Sequence, residues 1–276
     1  MRVRELTSPQ NPMVKLMRSL YTRKGRDRTG LVPVEGSRFV QEALLAARRG
    51  VTTIEALFYE AGFDEKGPEQ RALLEAAEVL AREVFRCSPS LFKTLSSTET
   101  PQGVAAAVAR PVFPQRPSSG RELYLVVDRV QDPGNMGTII RTAAAAGVDG
   151  ILCLKGTVDP FNPKTLRATM GAVFRVPITF YDSSQDLLKE LSQWRCRLIA
   201  ADVEGDQYHF QADYSGPIAV IIGNEGQGIE PGLLLAAPVR VRIPLASGVE
   251  SLNAAVACGI LLYEAVRYRH LAADHH

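Results

Sequence analysis

The stretch Ile218-Ala-Val-Ile-Ile222-Gly223-Asn224-Glu225-Gly226-Gln227-Gly228 joins an uninterrupted apolar run to a loop with three glycines. The run lacks the alternation of a half-exposed strand, which is the pattern of a strand buried on both faces of a parallel sheet. The glycines let main chain approach a ligand closely and leave amides able to bond its polar groups. Working outward, the same apolar signature predicts strands at Leu123–Val127, Gly150–Leu154, Val176–Phe180, Arg197–Ala201 and Val239–Ile243. A last helix follows, with Leu252, Ala255, Val256, Gly259, Ile260, Tyr263 and Val266 at helical spacing on one face.

Upstream the alternation continues on a smaller scale. Helices are predicted at Pro12–Tyr21, at Ser37–Arg48 with Ser37 as N-cap, and at Glu69–Ala81. Extended stretches are predicted at Leu31–Glu35, Ile54–Tyr59, Val84–Cys87 and Val104–Val108. Three prolines and a Ser-Ser-Gly tip between Val108 and Leu123 mark a linker. The expected organisation is a small α/β domain over 1–110, a linker over 111–121 and a larger parallel α/β domain over 122–276.

Composition narrows the function. The chain has 276 residues, 46% hydrophobic and 22% charged, the balance of a chain that folds around a core. Its longest uncharged apolar stretch, Ser251–Tyr263, is too short to span a bilayer, and no secretory segment is evident at Met1–Pro12. Cys87, Cys153, Cys196 and Cys258 lie far apart and read as reduced thiols of a cytoplasmic protein. Two of four histidines are the terminal His275 and His276, so no metal centre and no histidine base is expected. Residues 1–28 carry eight basic side chains (Arg2, Arg4, Lys15, Arg18, Arg23, Lys24, Arg26, Arg28) against Glu5 and Asp27, a net +6. Such a cluster fits either a nucleic-acid arm or a solvated helix end and charged turn.

Three loops after predicted strands carry the candidate chemistry, since ligands of open parallel sheets bind beyond the strands' carboxyl ends. The first is Asp128-Arg-Val-Gln-Asp132-Pro-Gly-Asn135-Met-Gly137, leading to Arg141. Here Asn135 can cap the following helix, or face one pocket together with Arg141. The second is Gly223–Gly228, a glycine-rich turn or a ligand cradle. The third runs from Ile243-Pro244 to Ser251-Leu252-Asn253, with Ser251 a natural cap and Asn253 in the first turn. No dinucleotide or P-loop fingerprint is present. The loops suit a reaction without metal, cysteine nucleophile or histidine base.

These residues resemble the SpoU (TrmH) family of RNA 2′-O-methyltransferases within the SPOUT superfamily. The likeness rests on D-x-x-x-D-P-x-N-x-G-x-x-x-R-T-A at Asp128–Ala143, I-G-N-E-G-x-G at Ile222–Gly228 and I-P-x(6)-S-L-N at Ile243–Asn253. Asn162–Pro177 resembles the segment between the first two motifs, and Ser8–Lys15 with Val34-Glu35-Gly36 resembles the family's ribosomal-protein-like RNA-substrate-binding domain. Met170 and Ala254-Ala255 depart from the family pattern.

The resemblance implies a trefoil-knotted parallel-sheet methyltransferase domain after an N-terminal α/β RNA-binding domain. It implies S-adenosyl-L-methionine as methyl donor, with contacts at Gly223, Ile243 and Leu252, and no metal. It assigns the catalytic set to Asn135, Arg141, Glu225, Ser251 and Asn253. It also implies a homodimer acting on the ribose 2′-hydroxyl of structured RNA, with ribosomal RNA preferred over tRNA because of the separate N-terminal domain. A tRNA methyltransferase or a catalytically silent RNA-binding paralogue is the alternative.

Overall fold

A computed structural model describes residues 3–114 and 118–273. Arg2 of the basic cluster, residues 115–117 of the expected linker, and His275 and His276 lie outside the described residues. The chain divides into two compact units, Met1–Phe113 with Phe161–Arg175, and Pro114–Pro160 with Val176–His276.

The first unit begins β1 (Arg4–Leu6), α1 (Pro12–Ser19), α2 (Arg23–Thr29), β2 (Leu31–Glu35) and α3 (Ser37–Arg48). It continues β3 (Ile54–Glu60), α4 (Pro68–Leu80), β4 (Ala81–Cys87), α5 (Pro89–Leu95) and β5 (Val104–Ala109). Its sheet runs β1-β4-β3-β5-β2, with β4 parallel to β1 and β3, and β5 antiparallel to β3 and β2. Val14, Met17 and Leu20 from α1 and its end, with Leu91, Phe92 and Leu95 of α5, pack against Ala56, Phe58, Phe85, Ala105 and Ala107.

Local chemistry sets the helix starts. Asn11 caps α1 by accepting the Met13 N–H at 2.8 Å, with Pro12 in the first turn, where its missing N–H costs nothing. The charged turn expected after α1 is instead α2, capped by Thr22 through the Gly25 N–H at 3.1 Å. Ser37 does not cap α3. Gly36 occupies the cap at φ +91°, and Ser37 is the first helical residue.

The second unit holds β6 (Leu123–Val127), α6 (Pro133–Ala146) and β7 (Gly150–Leu154). Next comes α7 (Pro163–Thr169), which belongs to the first unit. The second unit resumes with β8 (Ile178–Tyr181), α8 (Ser184–Gln193), β9 (Arg197–Ala201), β10 (Gln207–Tyr208), β11 (Ile218–Ile222), α9 (Pro231–Ala236), β12 (Val239–Arg242) and α10 (Ala254–Ala273). Its sheet is parallel throughout, ordered β10-β12-β9-β11-β6-β7-β8. Every residue of β11 is buried, as its unbroken apolar run requires.

Two further features differ from the sequence expectation. The buried face of α10 is Ala254, Ala255, Cys258, Leu261, Leu262 and Ala265, whereas Val256 and Tyr263 of the expected face are half exposed. The first half of the helix, Ala254–Tyr263, is uncharged all round, so periodicity alone could not orient it. Second, Phe161–Arg175 packs with the first unit although it lies between strands of the second. The Phe39 and Phe174 rings sit 5.8 Å apart, Arg175 pairs with Glu42 at 2.7 Å, and Arg167 donates to Ser97 Oγ at 2.9 Å. Ser97 in turn donates to Glu35, which also accepts from Tyr21 and Ser96.

Leu166, Val173 and Phe174 are at most 3% exposed in the full chain. Removing residues 1–110 uncovers them, so the remainder is expected to bind a hydrophobic dye and to melt below the full-length protein. Equal dye binding and melting for the two would contradict this packing.

Candidate active site

Parallel pairing brings the carboxyl ends of β6 and β11 level, Val127 opposite Ile222. Their chains stay joined one step further, the Asp128 N–H donating to Ile222 C=O at 2.8 Å. On the other side of β11, β9 pairs through Ala200, and β12 pairs with β9 up to Val241 opposite Ala201. The loops carrying Asn135, Glu225 and Asn253 therefore leave the sheet at one end.

Three of the expected residues meet there. Asn135 Nδ2 donates to Glu225 Oε1 at 2.9 Å, and Asn253 Nδ2 donates to Asn135 Oδ1 at 2.9 Å. Asn135 can serve as this bridge because it does not cap α6. Asp132 does so, accepting the Asn135 N–H at 2.7 Å. At α10 the roles also differ from expectation. Asn253, not Ser251, caps the helix, its Oδ1 accepting from Ala255 N–H (2.9 Å) and Val256 N–H (3.3 Å). Ser251 stands exposed before the helix and outside this network. Asn253 thus uses its carbonyl for the fold and its amide for the site.

Arg141 stands apart. It is exposed on α6 and makes no hydrogen bond or ion pair among the described residues. Six residues along a helix is about 9 Å of rise and more than a turn and a half, so Arg141 projects from a different side than Asn135.

Gly223 is required by the loop itself. A Cβ there would lie 2.4 Å from the Gly228 carbonyl carbon, where Asn224 and Gly228 exchange main-chain hydrogen bonds at 3.0 Å each. Ile243 and Leu252 are half-buried at the two ends of the third loop. Between them, one internal main-chain bond is formed among the described residues, Val249 N–H to Ala246 C=O at 3.2 Å. Half-buried apolar side chains beside unengaged main-chain donors and acceptors suit a flat heteroaromatic ring with a polar edge, such as adenine.

The departures from the family pattern find local reasons. Ala254 and Ala255 are buried in the first turn of α10, where small side chains permit close packing. Met170 ends α7 in the left-handed conformation, φ +51°, and belongs to the first unit rather than to these loops. Burial pushes the thiols of Cys87, Cys153 and Cys258 up to about 12 and that of Cys196 to about 11, the reverse of an activated nucleophile. No group of metal-ligating side chains occurs among the described residues.

Known proteins share this sequence pattern and fold. Residues 122–263 match the model of the SpoU rRNA Methylase family. The chain belongs to that family. Residues 11–106 match the MRM3-like substrate binding domain. The chain is 33% identical over 261 residues to the Bacillus subtilis 23S rRNA (guanosine(2553)-2'-O)-methyltransferase RlmP, covering 95% of this chain and 98% of that protein. It is 31% identical to the 23S rRNA (uridine(2479)-2'-O)-methyltransferase of Streptomyces viridochromogenes, covering 96% of this chain and 93% of that protein. The structure of the SpoU methyltransferase AviRb from the same organism, in complex with the cofactor AdoMet, superposes with a TM-score of 0.83 at 30% identity, covering 95% of this chain and 99% of that chain.

The dual role of Asn253 is separable. Asp at this position keeps the cap acceptor near a helix N-terminus, where a carboxylate is favourable. It cannot donate to Asn135. Asn253→Asp is expected to melt close to wild type yet lose methyl transfer by about tenfold or more. Asn253→Ala should also lose about 1 kcal/mol of stability with the cap. Full activity in the Asp variant, measured beside its melting curve, would detach this contact from function.

Proposed function

We propose that the chain transfers a methyl group from S-adenosyl-L-methionine to a ribose 2′-hydroxyl of ribosomal RNA. As a SpoU family member it is an S-adenosyl-L-methionine-dependent RNA 2′-O-methyltransferase. The observation that carries the reading is the Asn135–Glu225–Asn253 network, which joins three motif loops at one sheet end. Ribosomal RNA is favoured because both relatives named above modify 23S rRNA at a ribose. One modifies a guanosine and the other a uridine, so what they share is the hydroxyl rather than the base.

The donor would be held by main chain near Gly223 and between Ile243 and Leu252, and supplies a methyl group activated on sulfonium. This chain's own residues have three tasks: to align the hydroxyl, to accommodate its departing proton and to exclude water. Arg141 binds a substrate phosphate and stabilises the developing alkoxide. A guanidinium stays charged at neutral pH, so the proton leaves to a phosphate oxygen or to water. Asn135, Glu225 and Asn253 orient the ribose, with Ser251 at the rim of the same loop.

Two structural supports accompany this reading. α10 buries one apolar face and leaves Val256 and Tyr263, about 50% exposed, on another. The first half of α10, Ala254–Tyr263, is uncharged on every side and needs cover on both, which favours a homodimer. The packing of α10 on both α6 and β11 supports the knotted arrangement that the family resemblance implies. No helix among the described residues is long and apolar enough to cross a membrane; the cytoplasm is assigned because the relatives named above modify ribosomal RNA.

The reading is tested by incubating donor with large-subunit rRNA or tRNA and analysing nucleosides by mass spectrometry. A 2′-O-methylated nucleoside should appear in rRNA. Transfer to tRNA alone moves the substrate, and donor binding without transfer to either RNA marks a silent paralogue. Donor binding should fall in the micromolar range, about −8 kcal/mol.

Arg141→Ala is expected to lower methyl transfer by roughly 10²–10³-fold, about 3–4 kcal/mol, with donor affinity unchanged. Arg141→Lys should also be poor, since a point charge does not replace a planar fork. Near-wild-type rates in either variant would remove Arg141 from the reaction.

The basic arm gives a second test, revised by the structure. Arg26 is buried and donates to Leu20 C=O at 3.0 Å, while Arg23 pairs with Asp27 at 3.6 Å. The exposed cations Lys15, Arg18, Lys24 and Arg28 remain for RNA phosphates. Replacing these four with alanine should weaken RNA binding and flatten its salt dependence by up to about 0.7–0.9 per lost phosphate contact, measured across a salt series. An unchanged slope would make them a solvated face.

A further inference from the structure

We propose that Arg129 is the positioning residue that fixes the Gly223–Gly228 loop for donor binding, an inference that rests on reading that loop as part of the donor site. Arg129 lies two residues beyond the end of β6 with φ +57°. The left-handed region is disfavoured for a residue with a Cβ, and such strain persists where the surroundings over-determine it. Here they do. The Arg129 N–H donates to Thr157 Oγ1 at 3.0 Å, and its C=O accepts from Asn224 Nδ2 at 2.8 Å.

The side chain completes the tie. Nε and Nη2 donate to the two carboxylate oxygens of Asp128 at 2.8 and 3.0 Å. Asp128 is fully buried, and its Oδ2 also accepts the Glu230 N–H at 2.7 Å. The other side of the guanidinium reaches the loop: Nη1 donates to Gln227 Oε1 at 3.1 Å and Nη2 to Gly228 C=O at 3.4 Å. Asn224 Oδ1 meanwhile accepts the Gly226 and Gln227 N–H groups at 2.9 Å each. One residue therefore holds the loop by its main chain at Asn224 and by its side chain at Gln227 and Gly228, anchored on a buried carboxylate. Glu225 lies between these ties and bonds Asn135, so the fork sets where both the loop main chain and Glu225 stand.

A planar fork can grip a carboxylate with two donors and still offer N–H groups to the loop, which an ammonium cannot. Arg129 has no place in the methyl transfer itself. Its effect should appear in donor binding.

The test measures donor affinity by calorimetry, beside melting temperature, for Arg129→Asn, Arg129→Lys, Gln227→Ala and the Arg129→Asn/Gln227→Ala pair. Asn tolerates the left-handed backbone, so the first variant removes the fork and keeps the turn. Arg129→Asn is expected to weaken donor binding by about tenfold or more, with Arg129→Lys restoring little of it. Gln227→Ala should weaken binding by a smaller factor and have no further effect in the Arg129→Asn background, a coupling that general destabilisation would not produce. If the buried Asp128 carboxylate prevents Arg129→Asn from folding, Asp128→Asn/Arg129→Asn removes that charge and should show the same loss. Unchanged affinity in a folded Arg129 variant, or additive losses with Gln227→Ala, overturns the proposal. Leu252→Asp separates the two readings. If it abolishes binding while Arg129→Asn does not, the donor site stands and the positioning role falls; if neither affects binding, both fall.

Discussion

The structure depends on β11 being buried between β6 and β9 in a parallel sheet. Parallel pairing puts strand ends of the same polarity on one side, and the pairing of Ile222 with Val127 makes two of them level. Without that register Asn135 and Glu225, separated by ninety positions in the chain, would not come within 2.9 Å. The cost is that the loops must turn sharply at the carboxyl ends of these central strands. Gly223 has no room for a Cβ, and Arg129 adopts a backbone conformation that a non-glycine residue seldom holds.

Polar economy at this end of the sheet is the second theme. Asparagine offers an acceptor and a donor on one short side chain, and Asn253 uses both, one for the α10 cap and one for Asn135. Asn224 does the same, its oxygen closing the loop and its amide holding Arg129. Such groups couple folding to the proposed site: the contacts that terminate a helix or close a turn also set where the Asn135–Glu225–Asn253 network stands. In the first unit the equivalent centre is Glu35, whose carboxylate gathers Tyr21, Ser96 and Ser97, with Arg167 bound beyond Ser97. Burial and the neighbouring Glu35 raise the Tyr21 phenol, keeping it a neutral donor.

Much of this was legible because its signals are local. Apolar runs located six of the seven strands of the parallel sheet residue for residue or within two positions, all but the two-residue β10, and the three motifs marked loops that meet at one end of the sheet. Cap assignments were less legible, since several residues near each helix start can cap. Asp132 and Asn253 took the role that Asn135 and Ser251 could also have filled, and only packing decided between them. The buried face of α10 was hidden by a first half uncharged on all sides. The attachment of Phe161–Arg175 to the first unit was hidden because its partners, Phe39, Glu42 and Ser97, lie far away in sequence. Arg129 gave no signal, its role resting on a dihedral angle and on contacts across one hundred residues.

The central claim is that three loops form one site through Asn135. It is tested most directly by a double-mutant cycle of methyl transfer over Asn135→Ala and Asn253→Ala, with stability followed in parallel. If the two act as a unit, each single variant should lose nearly the whole effect and the double should lose little more. Independent losses that multiply in the double variant, in proteins that remain folded, would contradict the account.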